Sequence, residues 1–407
     1  MSQWEIGPIF RAMMRNKVGA VLIAIQIAMT MTIVVNSIFI INQRAALMER
    51  HSGIDEANSF YLTSTGFGEN FDPKSTTQND LALIRSTPGV VDAIQINAIP
   101  TTGSGWSMSF QVEPGEDKQD EGAAIYMVDE HGVNALDVNV IAGENFNAND
   151  IRWRPKSSRN WPDIVLITKA MAQSLFPDTP WQETVGKTIY ISQTEPMIIK
   201  GIVDQIQAPW VGWDDLEHVV MTPEITQFSS TRYFIRAEPG QRDRLMPLIE
   251  EALASSNKQR IIRGLHSIEE TRERSYRGDA AMIKILSTIM VVLTIVTGLG
   301  IVGLASFSVN RRKKQIGTRR ALGASQGAIV RYFMLENFLI STVGVVIGAA
   351  LTVGLNMLLV NLFGLNAIDW YYIPSGMLVL WLVGQIAVLG PAKRAANIPP
   401  ALATRTV

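Results

Sequence analysis

The chain has 407 residues, of which 47% are hydrophobic and 18% charged, and its formal net charge is −1. A nearly neutral chain is a poor match for a nucleic-acid partner, and the absence of cysteine excludes disulfides and thiolate chemistry. The positive mean hydropathy favours a membrane protein, and the length allows two or three domains.

Four uncharged runs explain the high apolar content. They are Val18–Gln43, Ile285–Asn310, Asn337–Ile368 and Trp370–Ala392. A helix rises about 1.5 Å per residue, so roughly 20 residues cross a hydrocarbon core of about 30 Å. Every run is long enough, and the sequence predicts four transmembrane helices. The segment between the first two runs, 44–284, has the mixed composition of a soluble domain.

The first run follows a short basic segment. Arg11, Arg15 and Lys17 precede the apolar stretch, as in a secretory signal, but the stretch is longer than the roughly 7–15 residues of a signal core. A retained signal-anchor is therefore the favoured interpretation. The apolar residues of 5–17 recur at helical spacing, which predicts a short interfacial helix on the cytoplasmic side; a frayed terminus is the alternative.

The segment 44–284 alternates strand-like and helix-like stretches. The predicted strands are Phe60–Thr63, Val90–Asn97, Met108–Val112, Ala124–Val128, Ile164–Thr168, Thr188–Ser192, Met197–Val203 and Tyr233–Arg236. The predicted helices are Gln78–Ser86, Lys169–Phe176 and Gln241–Ala254. Because Ala142–Trp161 is polar and poor in strand residues, we expect an α+β domain in two subdomains. Gln43–His51 and Ser267–Lys284 lack proline and should extend the first two spans outward as helical stalks.

The last two runs are separated only by Asp369. Gly364, Asn366 and Pro374 break helical continuity there and predict a tight hairpin, with a single bent helix as the alternative. Small residues in the second and third runs permit close helix approach. They are Gly298, Gly300, Gly303, Gly344 and Gly348. Ordinary bundle packing is the favoured interpretation, and dimerisation through one of these faces is the alternative.

Polar side chains within the runs either line a pathway or form interhelical hydrogen bonds. They are Gln26, Thr30, Asn36, Thr294, Thr297 and Asn356. No strongly ionisable residue lies deep in a run, which argues against a proton- or ion-coupled carrier. Glu336 lies near the cytoplasmic end of the third run, where a carboxylate costs little.

Lysine and arginine near the spans predict the orientation, because they concentrate on the cytoplasmic side. The expected cytoplasmic cations are Arg11, Arg15 and Lys17, then Arg311, Arg312, Lys313, Lys314, Arg319, Arg320 and Arg331, and finally Lys393, Arg394 and Arg405. Four cations at 272–284 lie on the opposite side, but long loops translocate largely regardless of charge. We therefore expect both termini in the cytoplasm and 44–284 outside.

The sequence contains one partial match to a catalytic pattern. Gly186, Lys187 and Thr188 resemble the end of a phosphate-binding loop, but that loop needs a glycine at position 181, which is Trp181. A β-turn before a strand is the favoured interpretation. The four histidines are scattered without helical ligand spacing, so we expect no metal site, no cofactor and no active site.

The cytoplasmic loop 310–331 differs from an ordinary basic loop. Between Arg312 and Ser325 it reads RKKQIGTRRALGAS, in which apolar and cationic positions alternate and two glycines interrupt them. This pattern favours a short helix presented to a cytoplasmic partner. Topology and lipid headgroups explain the charge but not the pattern.

This loop resembles the permease subunits of ATP-binding cassette transporters of the MacB/FtsX/LolC type, also called mechanotransmission or type VII permeases. The family pattern is approximately R-x-x-E-I-G-x-R-K/R-A-L-G-A-S. Three further matches are spread over the chain: Arg15-Asn16-Lys17, Val185–Thr188 with Ile202-Val203, and Pro391–Ala396 with Pro399 and Ala401-Leu402. Gln315 stands where the family usually has Glu, which puts in doubt any salt bridge to the partner at that position.

The resemblance implies a non-catalytic permease that couples ATP hydrolysis by a separate cytoplasmic ATPase to movement of the outer domain. In the family the loop after the second span docks on the ATPase as a coupling helix. The residues carried over to that role are Arg312, Gln315, Ile316, Gly317, Arg319, Arg320, Ala321, Leu322 and Gly323. The expected result is export or extraction of a drug, a peptide or a lipoprotein. A transmembrane signalling subunit that regulates periplasmic enzymes is the alternative.

The apolar runs and the resemblance together give the expected segments, and the resemblance gives the partners. The segments are a cytoplasmic interfacial helix (1–17), the first span (18–42), stalk helices with a MacB-like periplasmic core domain (43–284), the second span (285–309), the coupling loop (310–331), the third span (332–362), a short periplasmic loop (363–370), the fourth span (371–390) and a cytoplasmic tail (391–407). The partners are the cytoplasmic ATPase, a second permease copy or paralogue, and inner-membrane lipids, with room left for a periplasmic adaptor protein.

Overall fold

The structure is a computed structural model that describes residues 17–364 and 366–399. The interfacial helix expected at 5–17 lies outside the described residues, except for Lys17. Of the expected tail 391–407, only residues 391–399 are described. The described chain forms two compact units. We call 17–48 with 279–399 the helical unit, and 49–278 the sheet unit.

The helices of both units follow in chain order. They are α1 (Lys17–Glu49), α2 (Pro73–Arg85), α3 (Gly132–Leu136), α4 (Lys169–Leu175), α5 (Arg242–Ser256), α6 (Ile268–Ser275), α7 (Arg277–Arg311), α8 (Lys313–Ala321), α9 (Gln326–Phe363) and α10 (Tyr372–Ala396). Among the described residues, α1, α7, α9 and α10 are long and apolar enough to cross a membrane by length and composition.

The helix ends follow from local sequence. Ser325 begins α9, because its side chain accepts a hydrogen bond from the Ala328 amide, and Gly364 ends the helix in a left-handed conformation. The chain then reverses into α10, which confirms the predicted hairpin. The predicted stalk segments are also helical: α1 continues to Glu49, and α6 and α7 are separated only at Tyr276.

α1 packs on two neighbours within the helical unit. Thr30 of α1 and Thr297 of α7 lie 2.7 Å apart between their hydroxyls, and the Gln26 amide donates to the Val296 carbonyl. On the α9 side, a methyl group added at Gly348 would lie 2.9 Å from the Met31 Cβ. Gly344 meets α1 in the same way. Ordinary bundle packing is thus confirmed for this glycine pair, and several polar groups form interhelical hydrogen bonds as one of the two interpretations predicted.

The strands all lie in the sheet unit. They are β1 (Ser59–Gly66), β2 (Val90–Ile96), β3 (Trp106–Gln111), β4 (Glu121–Val128), β5 (Val140–Gly143), β6 (Arg152–Pro155), β7 (Ile164–Thr168), β8 (Thr188–Ile191), β9 (Glu195–Val203), β10 (Val219–Gln227), β11 (Ser230–Ala237) and β12 (Arg260–Ser267). The first sheet has four antiparallel strands in the order β12-β1-β11-β2. Helices α2 and α5 contribute to its core, which contains Phe60, Ile84 and Leu245.

The second sheet closes on itself. Its strands pair in the order β4-β3-β8-β9-β7-β10, and a parallel β4–β10 pairing completes the ring. Alternate residues of β4, such as Ile125 and Met127, lie in the core of this ring, while Tyr126 and Val128 pack with β2 and β11 of the first sheet. Successive residues of β4 therefore point to opposite faces, one set into the core inside the ring and the other into the core between the two sheets.

The helices and strands predicted for the sheet unit are confirmed with small shifts of their end residues, and some strands were not predicted. All eight predicted strands and all three predicted helices of this region are present. The insertion Ala142–Trp161 is poor in strand as expected, but β6 lies within it and pairs with β10. β5 and β6 belong to the same sheet as their neighbours, so this segment does not separate two subdomains. The polar composition misled the prediction because Arg154 of β6 is buried through an ion pair with Glu224.

Candidate functional site

The candidate site is the helix α8 with the turn that follows it. Arg312 alone separates α7 from α8, and after α8 the chain turns at Leu322 and Gly323. The Ala324 amide donates to the Arg319 carbonyl and the Gly323 amide donates to the Arg320 carbonyl. These are the two hydrogen bonds of a Schellman motif, and Gly323 supplies its left-handed residue with φ +94°.

One face of α8 is anchored to the helical unit. Ile316 is only 5% exposed and packs in an apolar cluster with Val309, Ile329 and Phe333. The same cluster includes three alanines at the end of α10. Gly317 is buried beside it. α8 is therefore held against the start of α9 and the end of α10.

A second set of contacts on this face involves charge. Arg312 Nη1 lies 2.9 Å from Glu336 Oε2, and both side chains are nearly buried. The guanidinium of Arg319 lies over the ring of Tyr332, 4.8 Å from its centroid, in a cation–π contact. Arg312 and Arg319 therefore both have interaction partners within the chain.

Arg320 is also directed into its own turn. Its Nη1 donates to the Ala324 carbonyl at 2.9 Å, and its Nε is buried without a hydrogen-bond partner among the described residues. This bond adds to the Schellman motif in holding the turn after α8.

The opposite side of α8 faces away from the unit. Leu322 is 83% exposed, the largest exposed fraction among the large apolar side chains of the described residues. Gln315, Ala321 and Gly323 are exposed as well. An exposed apolar side chain on a rigid turn, next to cations, can insert into a partner's groove, and an anchored helix can transmit the resulting force.

The nine residues predicted for coupling therefore lie in one structure but in two environments. Gln315, Ala321, Leu322 and Gly323 are exposed, whereas Arg312, Ile316 and Gly317 contact the rest of the unit. Arg319 is exposed but also covers the Tyr332 ring, and Arg320 bonds to the turn that follows α8. Prediction from the sequence missed Tyr332 and Glu336 as their contacts. A signal was present, because Glu336 is an acidic residue at the border of an apolar run, facing a loop rich in arginine.

Charged side chains buried in the sheet unit have structural partners. Burial raises the pKa of Glu224 above its ordinary value although Arg154, 3.0 Å away, opposes the shift. Burial likewise raises the pKa of Asp129, against the effect of Arg85. The Gly186–Thr188 segment forms a turn, in which the Lys187 amide donates to the Thr184 carbonyl before β8 begins. The predicted β-turn is confirmed there.

Two family models match the chain. One is described as MacB-like periplasmic core domain and matches residues 19–252, more than half of the chain. The other is described as FtsX-like permease C-terminal and matches residues 287–400. The second match includes the whole of α8.

Several curated proteins are similar to the chain. The macrolide export ATP-binding/permease protein MacB of Chromobacterium violaceum is 27% identical over 274 residues, covering 63% of this chain and 39% of that protein. The uncharacterized ABC transporter permease YknZ of Bacillus subtilis is 22% identical, covering 81% and 79%. MacB of Neisseria meningitidis is 22% identical, covering 96% and 59%. The chain thus spans about 40–60% of the length of these MacB proteins.

Among solved structures, the extracellular domain of the YknZ transporter from Gram-positive bacteria covers 50% of this chain and is itself covered completely. The TM-score is 0.32 and the sequence identity 14%. At these values the similarity carries no argument about the fold, so the assignment rests on the sequence families.

Proposed function

Because the chain belongs to the family of permeases with a MacB-like periplasmic core domain and an FtsX-like C-terminal region, and is a multi-pass protein of the bacterial inner membrane, we propose that it couples a cytoplasmic ATPase to movement of its outer domain. ABC permeases of this family work with an ATPase component. We propose that here it is a separate subunit that docks on α8, with both chain termini in the cytoplasm and the sheet unit outside.

The observation that carries this proposal is the division of α8 into two faces. Ile316 and Arg312 fix one face to the helical unit, while Leu322 projects from the other at 83% exposure. A docking element needs an exposed contact and a rigid attachment, and this helix has both. A loop that served only the membrane topology would require its charge but not an anchored helix with an exposed leucine.

The proposed cargo is a drug, a peptide or a lipoprotein that the outer domain exports or extracts. The drug class is supported by the names of the MacB relatives, which describe macrolide export. The segment boundaries expected from the sequence, a second permease copy, membrane lipids and a periplasmic adaptor remain part of this proposal. Regulation of periplasmic enzymes is the competing role, and it would use the same ATPase contact.

Affinity purification of the solubilised full chain tests the ATPase contact. We expect wild type to recover a cassette ATPase and Leu322→Ala to recover about tenfold less, because a buried apolar anchor at the centre of an interface is worth more than 1 kcal/mol. Arg319→Ala/Arg320→Ala/Leu322→Ala should abolish recovery.

The matched control is Leu248→Ala, which removes an exposed leucine of α5 in the sheet unit. It should leave ATPase recovery unchanged. Equal recovery with wild type and with the triple variant would overturn the docking role of α8, and no ATPase with wild type would overturn the transporter assignment.

A further inference from the structure

The contact between α8 and α9 contains an ion pair whose partner residue lies outside the predicted coupling set. Arg312, at the start of α8, lies 2.9 Å from Glu336 in the third turn of α9, and the exposed fractions of the two side chains are 15% and 11%. The same Nη1 lies 3.4 Å from the Tyr332 hydroxyl, one turn earlier on α9. One cation therefore binds two successive positions of α9.

Further contacts join the same two helices, α8 and α9. Arg312, Ile316 and Arg319 are spaced by four and three residues, which places them on one face of α8. Ile316 shares an apolar cluster with Phe333, and Arg319 covers Tyr332. α8 is therefore joined to α9 by one ion pair, one cation–π contact and one apolar contact over two turns.

A small cavity lies beside the ion pair. Its volume is about 50 Å³, enough for about three water molecules, and Arg312, Glu336, Ser308 and Asn337 line it with apolar side chains of α1 and α7. Asn337 is 5% exposed, and its Nδ2 has no hydrogen-bond partner among the described residues. A buried amide requires a partner, so the cavity is suited to hold water.

α9 in turn contacts α1. Gly344 and Gly348 of α9 meet the backbone of Ala24 and Ala28, so that any added methyl group would collide. α1 leads directly into the sheet unit at Glu49. In α7, by contrast, only Thr297, Ile301 and Val309 are buried within the described chain. The better packed connection from α8 into the apolar helices is the one through α9.

We propose that Glu336, with Tyr332, is a positioning residue that passes movement of α8 to α9 and from there to α1. This inference rests on the proposed function. A partly buried ion pair contributes little net stability, because desolvation of the two charges offsets their attraction. Its role here is to fix the register between two helices, and its loss should disconnect ATPase docking from movement.

The experiment compares Glu336→Gln, Arg312→Gln and the double variant in the full chain. Each is measured for ATPase recovery, for stimulation of the recovered ATPase in proteoliposomes, and for its thermal unfolding midpoint. For Glu336→Gln we expect recovery as in wild type and about a fivefold loss of stimulation. The double variant leaves no unpaired charge, so its midpoint should return toward wild type while its stimulation stays low.

Arg311→Gln is the matched control. It removes an adjacent arginine that is exposed and contacts the Phe307 ring, and it should match wild type in all three measurements. If Glu336→Gln is too unstable to purify, the double variant supplies the same comparison.

Two results would overturn the inference alone: stimulation at the wild-type level in Glu336→Gln, or stimulation that recovers together with the midpoint in the double variant. The second result would show a purely structural pair. A wild-type chain that recovers no ATPase would instead overturn the proposed function, and this inference with it.

Discussion

In the sheet unit the large apolar side chains are mostly enclosed, whereas in the helical unit many of them are exposed on the outer faces of the helices. Phe60, Phe110 and Phe234 are fully buried in three different apolar clusters of the sheet unit. On α7, Ile285 and Leu299 are more than half exposed. The sheet unit is therefore stabilised by burial from water, while the long helices need lipid or partner contacts around them.

The two units also differ in how they use polar groups. In the sheet unit, Arg260 and Asp80 form a fully buried ion pair, to which the Tyr233 hydroxyl donates at 2.7 Å. Burial raises the pKa of Tyr233 well above its usual value, and the Asp80 carboxylate raises it further, so the hydroxyl remains protonated as a donor. In the helical unit, neutral threonine and amide groups join α1 to its neighbours instead.

The largest effect should come from the buried charge of the sheet unit. Arg260→Met leaves the buried Asp80 carboxylate without its cationic partner and removes the hydrogen bond from Arg260 Nε to the Leu253 carbonyl at the end of α5. We expect the free energy of unfolding to fall by about 3–5 kcal/mol. Hydrogen exchange of β12 and β1 in the solubilised full chain would measure it.

Arg263→Met provides the control on the same strand, because Arg263 is exposed. Its effect should stay within about 0.5 kcal/mol. Equal loss of protection in both variants would show that the ion pair does not stabilise this sheet.

A smaller effect should follow from close packing in the helical unit. Gly348→Ala places a methyl group 2.9 Å from the Met31 Cβ and 3.1 Å from the Ala28 backbone. We expect a loss of about 1–3 kcal/mol from overpacking, measured by unfolding in mixed detergent micelles.

Gly354→Ala is the control on the same helix, because no atom lies within 4 Å of the added methyl group. It should not destabilise the protein, since alanine favours a helix. If Gly348→Ala were equally harmless, close approach of α1 and α9 would not be required.

The smallest expected effect concerns the turn after α8. Gly323→Ala puts a side chain on a residue with φ +94° and should cost about 1 kcal/mol of local stability. Because that turn holds Leu322 in place, ATPase recovery should fall several-fold while the global unfolding midpoint changes little. An unchanged recovery would show that the orientation of Leu322 is unimportant.

The sequence predicts what depends on local patterns. The long apolar runs locate α1, α7, α9 and α10, and the short apolar run Ile164–Thr168 coincides with β7. β10 was missed because Pro223 and the buried polar residues Thr222 and Glu224 interrupt its apolar residues. β12 begins with Arg260, whose burial depends on Asp80, distant in sequence. A local reading of the sequence cannot detect such a partner.

The candidate site shows the same limit. The helix and its exposed end follow from the motif between Arg312 and Ser325, with the glycine after α8 marking its stop. The attachment of α8 does not follow from this motif, because Arg312 contacts Glu336 on another helix only when α8 packs against α9. The resemblance to known permeases supplied the proposed coupling residues as one set, and the structure divides them by environment.

The most direct test of the account is cross-linking from position 322. Since the chain has no cysteine, Leu322→Cys introduces a single reactive site for a cysteine-directed photo-cross-linker in native membranes. The account predicts a covalent adduct with a cassette ATPase from this position and none from Leu248→Cys in the sheet unit. Absence of an ATPase adduct at position 322, with efficient labelling of the cysteine, would contradict the claim that α8 docks on an ATPase.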